Sequence, residues 1–185
     1  MNTLLVVALE SELEDIKYKH ILYTGIGKVN AAWKLTKYLC DNPDIENVVN
    51  YGSAGGINPE FRGLLKCTKF LQGDIDCRAL GVPLGHTPYE DIQQFDFNQD
   101  FIDGKTCMSF DQFQLTKPAI EVDCVDMEAY ALAKVCHNMD KHFTSYKWIS
   151  DIVGGNDQST QWKENFNTGQ DIFKTIFKTD YGIEL

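Results

Sequence analysis

The stretch Glu121–Asn138, EVDCVDMEAYALAKVCHN, changes its period in the middle. Glu121–Val125 reads as a short strand. From about Met127 to Asn138 the apolar residues Ala131, Leu132, Val135 and Cys136 recur at the three-to-four spacing of one buried helix face. A strand that runs directly into a helix is the repeating unit of α/β domains, and its junction is where such domains place ligands.

The same alternation extends outward in both directions. Short runs rich in β-branched residues predict strands at Leu4–Ala8, His20–Tyr23, Asn47–Tyr51, Leu64–Phe70, Thr106–Phe110 and Ser145–Ile149. A helix is expected after Gly25-Ile26-Gly27, with Val29, Ala32, Trp33, Thr36 and Leu39 as its buried stripe, and it should stop before Asn42-Pro43. A last helix, capped by Ser159 or Thr160, carries Trp162, Phe166, Ile172, Phe173, Ile176 and Phe177 at helical intervals, with Gly169 weakening its middle. The pattern predicts one α/β domain over residues 1–185, built on a largely parallel sheet covered on both faces. Between Gly81 and Gly104, prolines, glycines and amide side chains predict a long loop with at most short helical turns. Such a loop serves as a lid or an interface element, and Tyr89, Phe95, Phe97 and Phe101 are its candidate contacts.

Composition narrows the functional classes. At 185 residues with 43% hydrophobic content the chain supports one substantial core. Its net charge of −10 repels polyanions, so no nucleic-acid partner is expected. No apolar run approaches the roughly 20 residues needed to cross a bilayer, so no membrane partner is expected. The N-terminal residues Met1-Asn2-Thr3 lead into a strand without a secretion signal. Six cysteines without a CxxC pair, four of them in apolar stretches, behave as small hydrophobes and fit a reducing cytoplasm. The four histidines have no ligand spacing, so no metal and no cofactor is expected.

Three acidic residues follow predicted strands: Glu12, Glu128 and Asp151. In a parallel sheet the carboxyl ends of strands share one edge, so the three converge on one pocket. A single acidic residue in the first turn of a helix has a plainer role, dipole stabilisation of roughly 0.3–1 kcal/mol. Two glycine-rich turns, Thr24-Gly25-Ile26-Gly27-Lys28 and Gly52-Ser53-Ala54-Gly55-Gly56, bring backbone amides close to a ligand, and Ser53 adds a hydroxyl. Neither has the spacing of a Walker loop or a dinucleotide fingerprint.

The ordered combination of segments 8–13, 24–32, 50–56, Gly73-Asp74-Ile75, 125–129 and 149–151 resembles the methylthioadenosine/S-adenosylhomocysteine nucleosidases of the nucleoside phosphorylase superfamily. The resemblance implies a single-domain three-layer α/β/α sandwich with a mixed, largely parallel sheet, acting as a cytoplasmic homodimer on a small purine nucleoside. It makes Asp151 the acid that protonates purine N7, Glu12 the carboxylate that activates water, and Glu128 with Met127 the holders of the ribose. Ser53 then lies beside the water and the sugar, Phe113 stacks on the base, Ser150 of the Ser-Asp pair and Lys147 count among the substrate-binding residues, and Trp162 serves as an aromatic beyond that pair. Glycosidic cleavage passes through a cationic ribosyl group, so it requires a protonated leaving base and nearby negative charge. Asp151 would donate near neutral pH if burial beside other carboxylates raised its pKa.

This sequence departs from the family pattern in places. It is shorter between Glu12 and Thr24, and Lys147 stands where relatives carry an arginine near the water. Asp126 replaces a glutamate, Gln114 replaces an apolar residue, and 74–81 follows its own course. Lysine cannot form the bidentate fork of arginine. A phosphorylase of the same fold is the second reading. It requires cations for phosphate, yet the chain has two arginines, Arg62 and Arg78, and carries Asn50 where phosphate-using relatives place an arginine. A noncatalytic nucleoside-binding protein is the third, and it has no use for the Glu12, Glu128 and Asp151 combination.

Overall fold

The computed structural model describes residues 2–97 and 104–185, so Phe101 of the central loop lies outside the described residues. Strands β1 (Thr3–Val7), β2 (Ile21–Tyr23), β3 (Asn47–Gly56), β4 (Leu64–Gln72), β5 (Gln94–Asp96), β6 (Lys105–Ser109), β7 (Cys124–Asp126) and β8 (His142–Ile152) form one mixed sheet. Helices α1 (Lys28–Asp41), α2 (Ala129–Asn138), α3 (Gln158–Asn165) and α4 (Gln170–Tyr181) pack against it. Five strand pairs are parallel, β1 with β2 and β3, β3 with β8, and β6 with β4 and β7. Three are antiparallel, β3 with β7, and β4 with β5 and β8. The pairings β3-β7-β6-β4-β8 return to β3, so this part of the sheet closes on itself.

Strand β1 explains why both faces are covered. All five of its residues are buried, and alternate side chains point to opposite faces of a sheet. Leu4 and Val6 enter one core with Ala31, Leu35 and Leu39 of α1 and the inner face of α2. Leu5 and Val7 enter another with Val49, Tyr51, Tyr146 and the α4 residues Phe173 and Phe177. Tyr51 stacks on Phe173 with ring centroids 4.3 Å apart. An unbroken apolar strand is the sequence signature of a sheet buried on both sides.

Several expectations need correction, and β3 and β8 also run further than expected, to Gly56 and Ile152. The buried stripe of α1 is Ala31, Leu35 and Leu39, whereas Val29 and Trp33 are 79% and 59% exposed. The single last helix is two, α3 and α4, and Ser159 and Thr160 lie inside α3 instead of capping it. The break at Gly169 is set by Trp148: a Cβ there would fall 2.2 Å from the indole, whose Nε1 donates to the Asn165 carbonyl at 3.0 Å. The segment 81–104 contains a strand, β5, which pairs with β4. Its Phe95 packs on Tyr130 and Phe97 on Phe143, so these two rings anchor the segment to its own core, while Tyr89 is exposed. Finally, β7 begins at Cys124 and α2 at Ala129, each a few residues later than expected.

The described cysteines are all free thiols, and Cys67, Cys107, Cys124 and Cys136 are buried. Among the described residues, no helix is long and apolar enough to cross a membrane.

Candidate active site

Strand β3 ends in Ser53-Ala54-Gly55-Gly56, and its last two residues pair with β7 on one edge and β8 on the other. This places the ends of β7 and β8 on either side of a strand tip that carries almost no side chain. The missing side chains make room for carboxylates. A Cβ at Gly55 would lie 3.2 Å from Asp151 Oδ2 and 2.8 Å from Val153, and one at Gly52 would lie 3.5 Å from Glu12 Oε1. The segment 52–56, expected as a turn after the strand, is instead the end of β3 itself, so these glycines serve by being small within a strand. By contrast Gly25 and Gly27, at φ +78° and +97°, serve by turning the backbone into α1.

A cavity of about 280 Å³ opens there, and Glu12, Ser53, Met127, Glu128, Asp151, Phe113 and Trp162 all line it. Lys147 and Ser150, expected to touch substrate, do not line it. Each is buried behind a carboxylate, Lys147 against Asp126 at 2.7 Å and Ser150 against Asp151 at 2.6 Å.

Glu12 sits in the 3-10 turn Glu10–Glu12 that follows β1 and is buried. Its Oε1 accepts from the Ser53 amide at 2.9 Å and the Ser53 hydroxyl at 2.8 Å, and its Oε2 accepts from the Leu9 amide at 3.2 Å. Trp162 Nε1 donates to Ser53 Oγ at 3.2 Å. The indole therefore directs the serine hydroxyl, which has one proton to give, toward Glu12. The edge of Trp162 meets Phe113 with centroids 6.3 Å apart, and together they form an aromatic wall.

Glu128 precedes α2, and its Oε1 accepts from the Gly27 amide at the entrance to α1, at 2.9 Å. Burial first, then repulsion from Asp126, pushes its carboxyl up to about 8, and Lys147 and the Gly27 amide only partly oppose this. Two residues earlier, Asp126 behaves oppositely. Burial alone would raise its pKa, but the Lys147 ammonium, Ser109 Oγ and the Ala129 amide hold it below the usual carboxylate range. Burial likewise acts to lower the Lys147 pKa, but Asp126 and its neighbours keep it raised and the ammonium charged.

Asp151 is the last residue but one of β8, where burial raises its carboxyl. No neighbouring carboxylate contributes to that rise, which corrects the expectation. Two neutral donors oppose it, Ser150 Oγ and Gln158 Nε2, the latter 2.8 Å from Oδ2. Gln158 was invisible in the sequence: it lies seven residues beyond Asp151, at the first position of α3, where no spacing rule singles it out.

At the rim, Lys28 pairs with Asp74 and with Asp111 at 3.3 Å, and the Asp111 amide donates to Asp74 at 2.6 Å. This network ties the start of α1 to the segment that carries Phe113. Among the described residues, no group of three or more histidine, cysteine and acidic side chains could hold a metal ion.

No family model matches the sequence. In fold, the chain is similar to the futalosine hydrolase of Helicobacter pylori, with a TM-score of 0.81, 17% identity and 98% of each chain covered. It is also similar to the 5′-methylthioadenosine/S-adenosylhomocysteine nucleosidase of that organism solved with butyl-thio-DADMe-Immucillin-A. There the TM-score is 0.80 at 19% identity, covering 97% of this chain and 99% of the other. In sequence, it is 30% identical over 158 residues to the 5′-methylthioadenosine/S-adenosylhomocysteine nucleosidase of Geobacillus kaustophilus, which spans 72% of this chain and 67% of the relative. With that identity over two thirds of the relative's length, the chain belongs to the 5′-methylthioadenosine/S-adenosylhomocysteine nucleosidase family.

Proposed function

We propose that this protein hydrolyses the N-glycosidic bond of an adenosine-type nucleoside, releasing free base and sugar. The observation that carries the reading is that Glu12, Glu128 and Asp151, from three separate strand ends, line one cavity in three different electrostatic settings. In this reading Asp151, raised by burial, protonates purine N7 as the bond breaks, and a neutral base leaves. Glu12, aligned by Ser53, takes the proton of the attacking water. Glu128 and Met127 hold the ribose. With its carboxyl near 8, Glu128 can both donate to and accept from the ribose hydroxyls at neutral pH, and developing positive charge on the sugar favours its ionised form. Phe113 and Trp162 supply the aromatic wall for the base and sugar.

Phosphorolysis fits the cavity less well. Arg62 and Arg78 are exposed and line no part of it, and Arg78 is engaged by Asp76. The buried cation Lys147 is matched by Asp126, and among the described residues no lysine or arginine lines the cavity to receive a phosphate dianion.

The reading extends to a three-layer α/β/α sandwich formed as one domain over residues 1–185, which the apolar clusters on both sheet faces support. It extends also to a cytoplasmic homodimer. Buried free thiols support the compartment, and exposed Val29 and Trp33 on α1, with Ile26 at the cavity, support the second copy. Light scattering of a Trp33→Ser variant tests this: a monomer that keeps its circular dichroism spectrum is expected, and a wild type that is itself monomeric would overturn the reading.

Chromatography of free base released from methylthioadenosine, S-adenosylhomocysteine, adenosine and inosine, with and without phosphate, tests the reaction. Release independent of phosphate and lost in Asp151→Asn is the expected result. Strict dependence on phosphate would instead identify a phosphorylase, and no release from any nucleoside would leave a binding protein.

A further inference from the structure

The amide of Gln158 is buried and satisfied at every position. Its Oε1 accepts from the Gly154 backbone N–H at 3.1 Å, and its Nε2 donates to the Gln114 carbonyl at 3.0 Å and to Asp151 Oδ2 at 2.8 Å. A backbone donor on one side and a backbone acceptor on the other fix which end of the amide is which. Turning it over would set the carbonyl oxygen against two acceptors and the NH₂ group against an N–H. Gln158 is therefore a donor to Asp151 in either protonation state of the acid.

Because this donor cannot turn over, it holds the plane of the Asp151 carboxyl and offers the ionised form a standing hydrogen bond at Oδ2. Ser150 Oγ, 2.6 Å from Oδ1, is a rotor and adjusts: it donates to Oδ1 when the acid is ionised and has the Ala54 carbonyl, at 3.4 Å, as its other partner. The second hydrogen of Gln158 pins the carbonyl of Gln114, the residue after Phe113, to the same acid.

We propose that Gln158 is a positioning residue for proton delivery: it fixes the orientation of the Asp151 carboxyl through a donor that cannot turn over, and it locks the base-side wall at Gln114 to the acid. The inference rests on the reading of Asp151 as the general acid. It adds a residue on a different element that acts through the acid.

The test compares wild type, Gln158→Ala, Gln158→Glu and Asp151→Asn on methylthioadenosine across pH. Because Gln158 donates to the ionised carboxylate, its removal makes Asp151 harder to ionise, so the alkaline limb of kcat should move up by about half a unit to one unit. In Gln158→Ala, kcat should fall about tenfold with a smaller change in KM. Gln158→Glu keeps the shape but faces Asp151 with a second carboxyl, so its limb should move further up and its kcat fall about a hundredfold. A loss of kcat without movement of the limb would mean that Gln158 only ties Gly154 to Gln114, and unchanged kcat and limb would also overturn the proposal. If Asp151→Asn remains active, the acid assignment itself fails. If Asp151→Asn is inactive while both Gln158 variants behave as wild type, only this inference fails. A carboxyl-carbon NMR titration of Asp151 needs no turnover: its midpoint should rise in Gln158→Ala, and an unmoved midpoint overturns the proposal.

Discussion

Asp126 and Asp151 stand at the ends of β7 and β8, on either side of the same glycine tip of β3, and both side chains are buried. Their surroundings nevertheless set them to opposite tasks. Asp126 faces the Lys147 ammonium at 2.7 Å and is held ionised. Asp151 faces only the neutral donors Ser150 and Gln158, and burial raises its carboxyl. One region is thus a permanent ion pair and the other an exchangeable acid, although the residue type and depth are shared. The difference teaches that a buried carboxylate's role is decided by the charge of its partner, more than by burial alone.

The comparison can be broken from either side. The largest effect is expected at the acid: Asp151→Asn keeps size and hydrogen bonding but has no proton to give, and kcat should fall about 10³-fold in the base-release assay with the fold intact by circular dichroism. Next is the ion pair. Lys147→Met leaves Asp126 charged and unpaired, and denaturant unfolding should show a loss of about 3–5 kcal/mol. Adding Asp126→Asn should restore most of that stability, because a buried pair replaced on both sides leaves no stranded charge. Failure of the double variant to recover would mean that the pair does more than neutralise itself.

Glu128 sharpens the contrast through pH. Its carboxyl is near 8 in the fold against 4.5 ordinarily, so between those values the folded chain holds a proton the unfolded chain has released. Stability should fall as pH rises through that window, with the cost fully present above it. Glu128→Gln should therefore melt several degrees above wild type at about pH 9 and gain little at about pH 4 in thermal scans. The smallest effect is expected at Trp162→Phe, which keeps the ring but removes the N–H that orients Ser53 toward Glu12; kcat/KM should fall a few-fold, as for one neutral hydrogen bond.

Much of this arrangement was legible in the chain. The unbroken apolar run of β1 predicts a buried strand, and all five of its residues are buried, divided between two apolar clusters. Glu12 and Glu128 come after β1 and β7, and Asp151 lies at the end of β8, so their convergence at one sheet edge could be expected. Other features had no local signal. Helix α1 has apolar residues on two faces, Ala31, Leu35 and Leu39 on one and Val29 and Trp33 on the other, and periodicity does not choose between them. The three-residue β5 is too short to show an alternation, and the break between α3 and α4 comes from a tryptophan on β8, some twenty residues away in sequence.

The sequence by itself determined the class of fold, seven of the eight strands and the first two helices in their order, and the set of carboxylates available for chemistry, because apolar periodicity and residue type are local properties. Only the tertiary structure decided which carboxylate is paired with a cation, which is left with neutral donors, and that Gln158 is one of those donors. These depend on atoms within about 3 Å that are contributed by elements distant along the chain, and a pKa depends on just such neighbours.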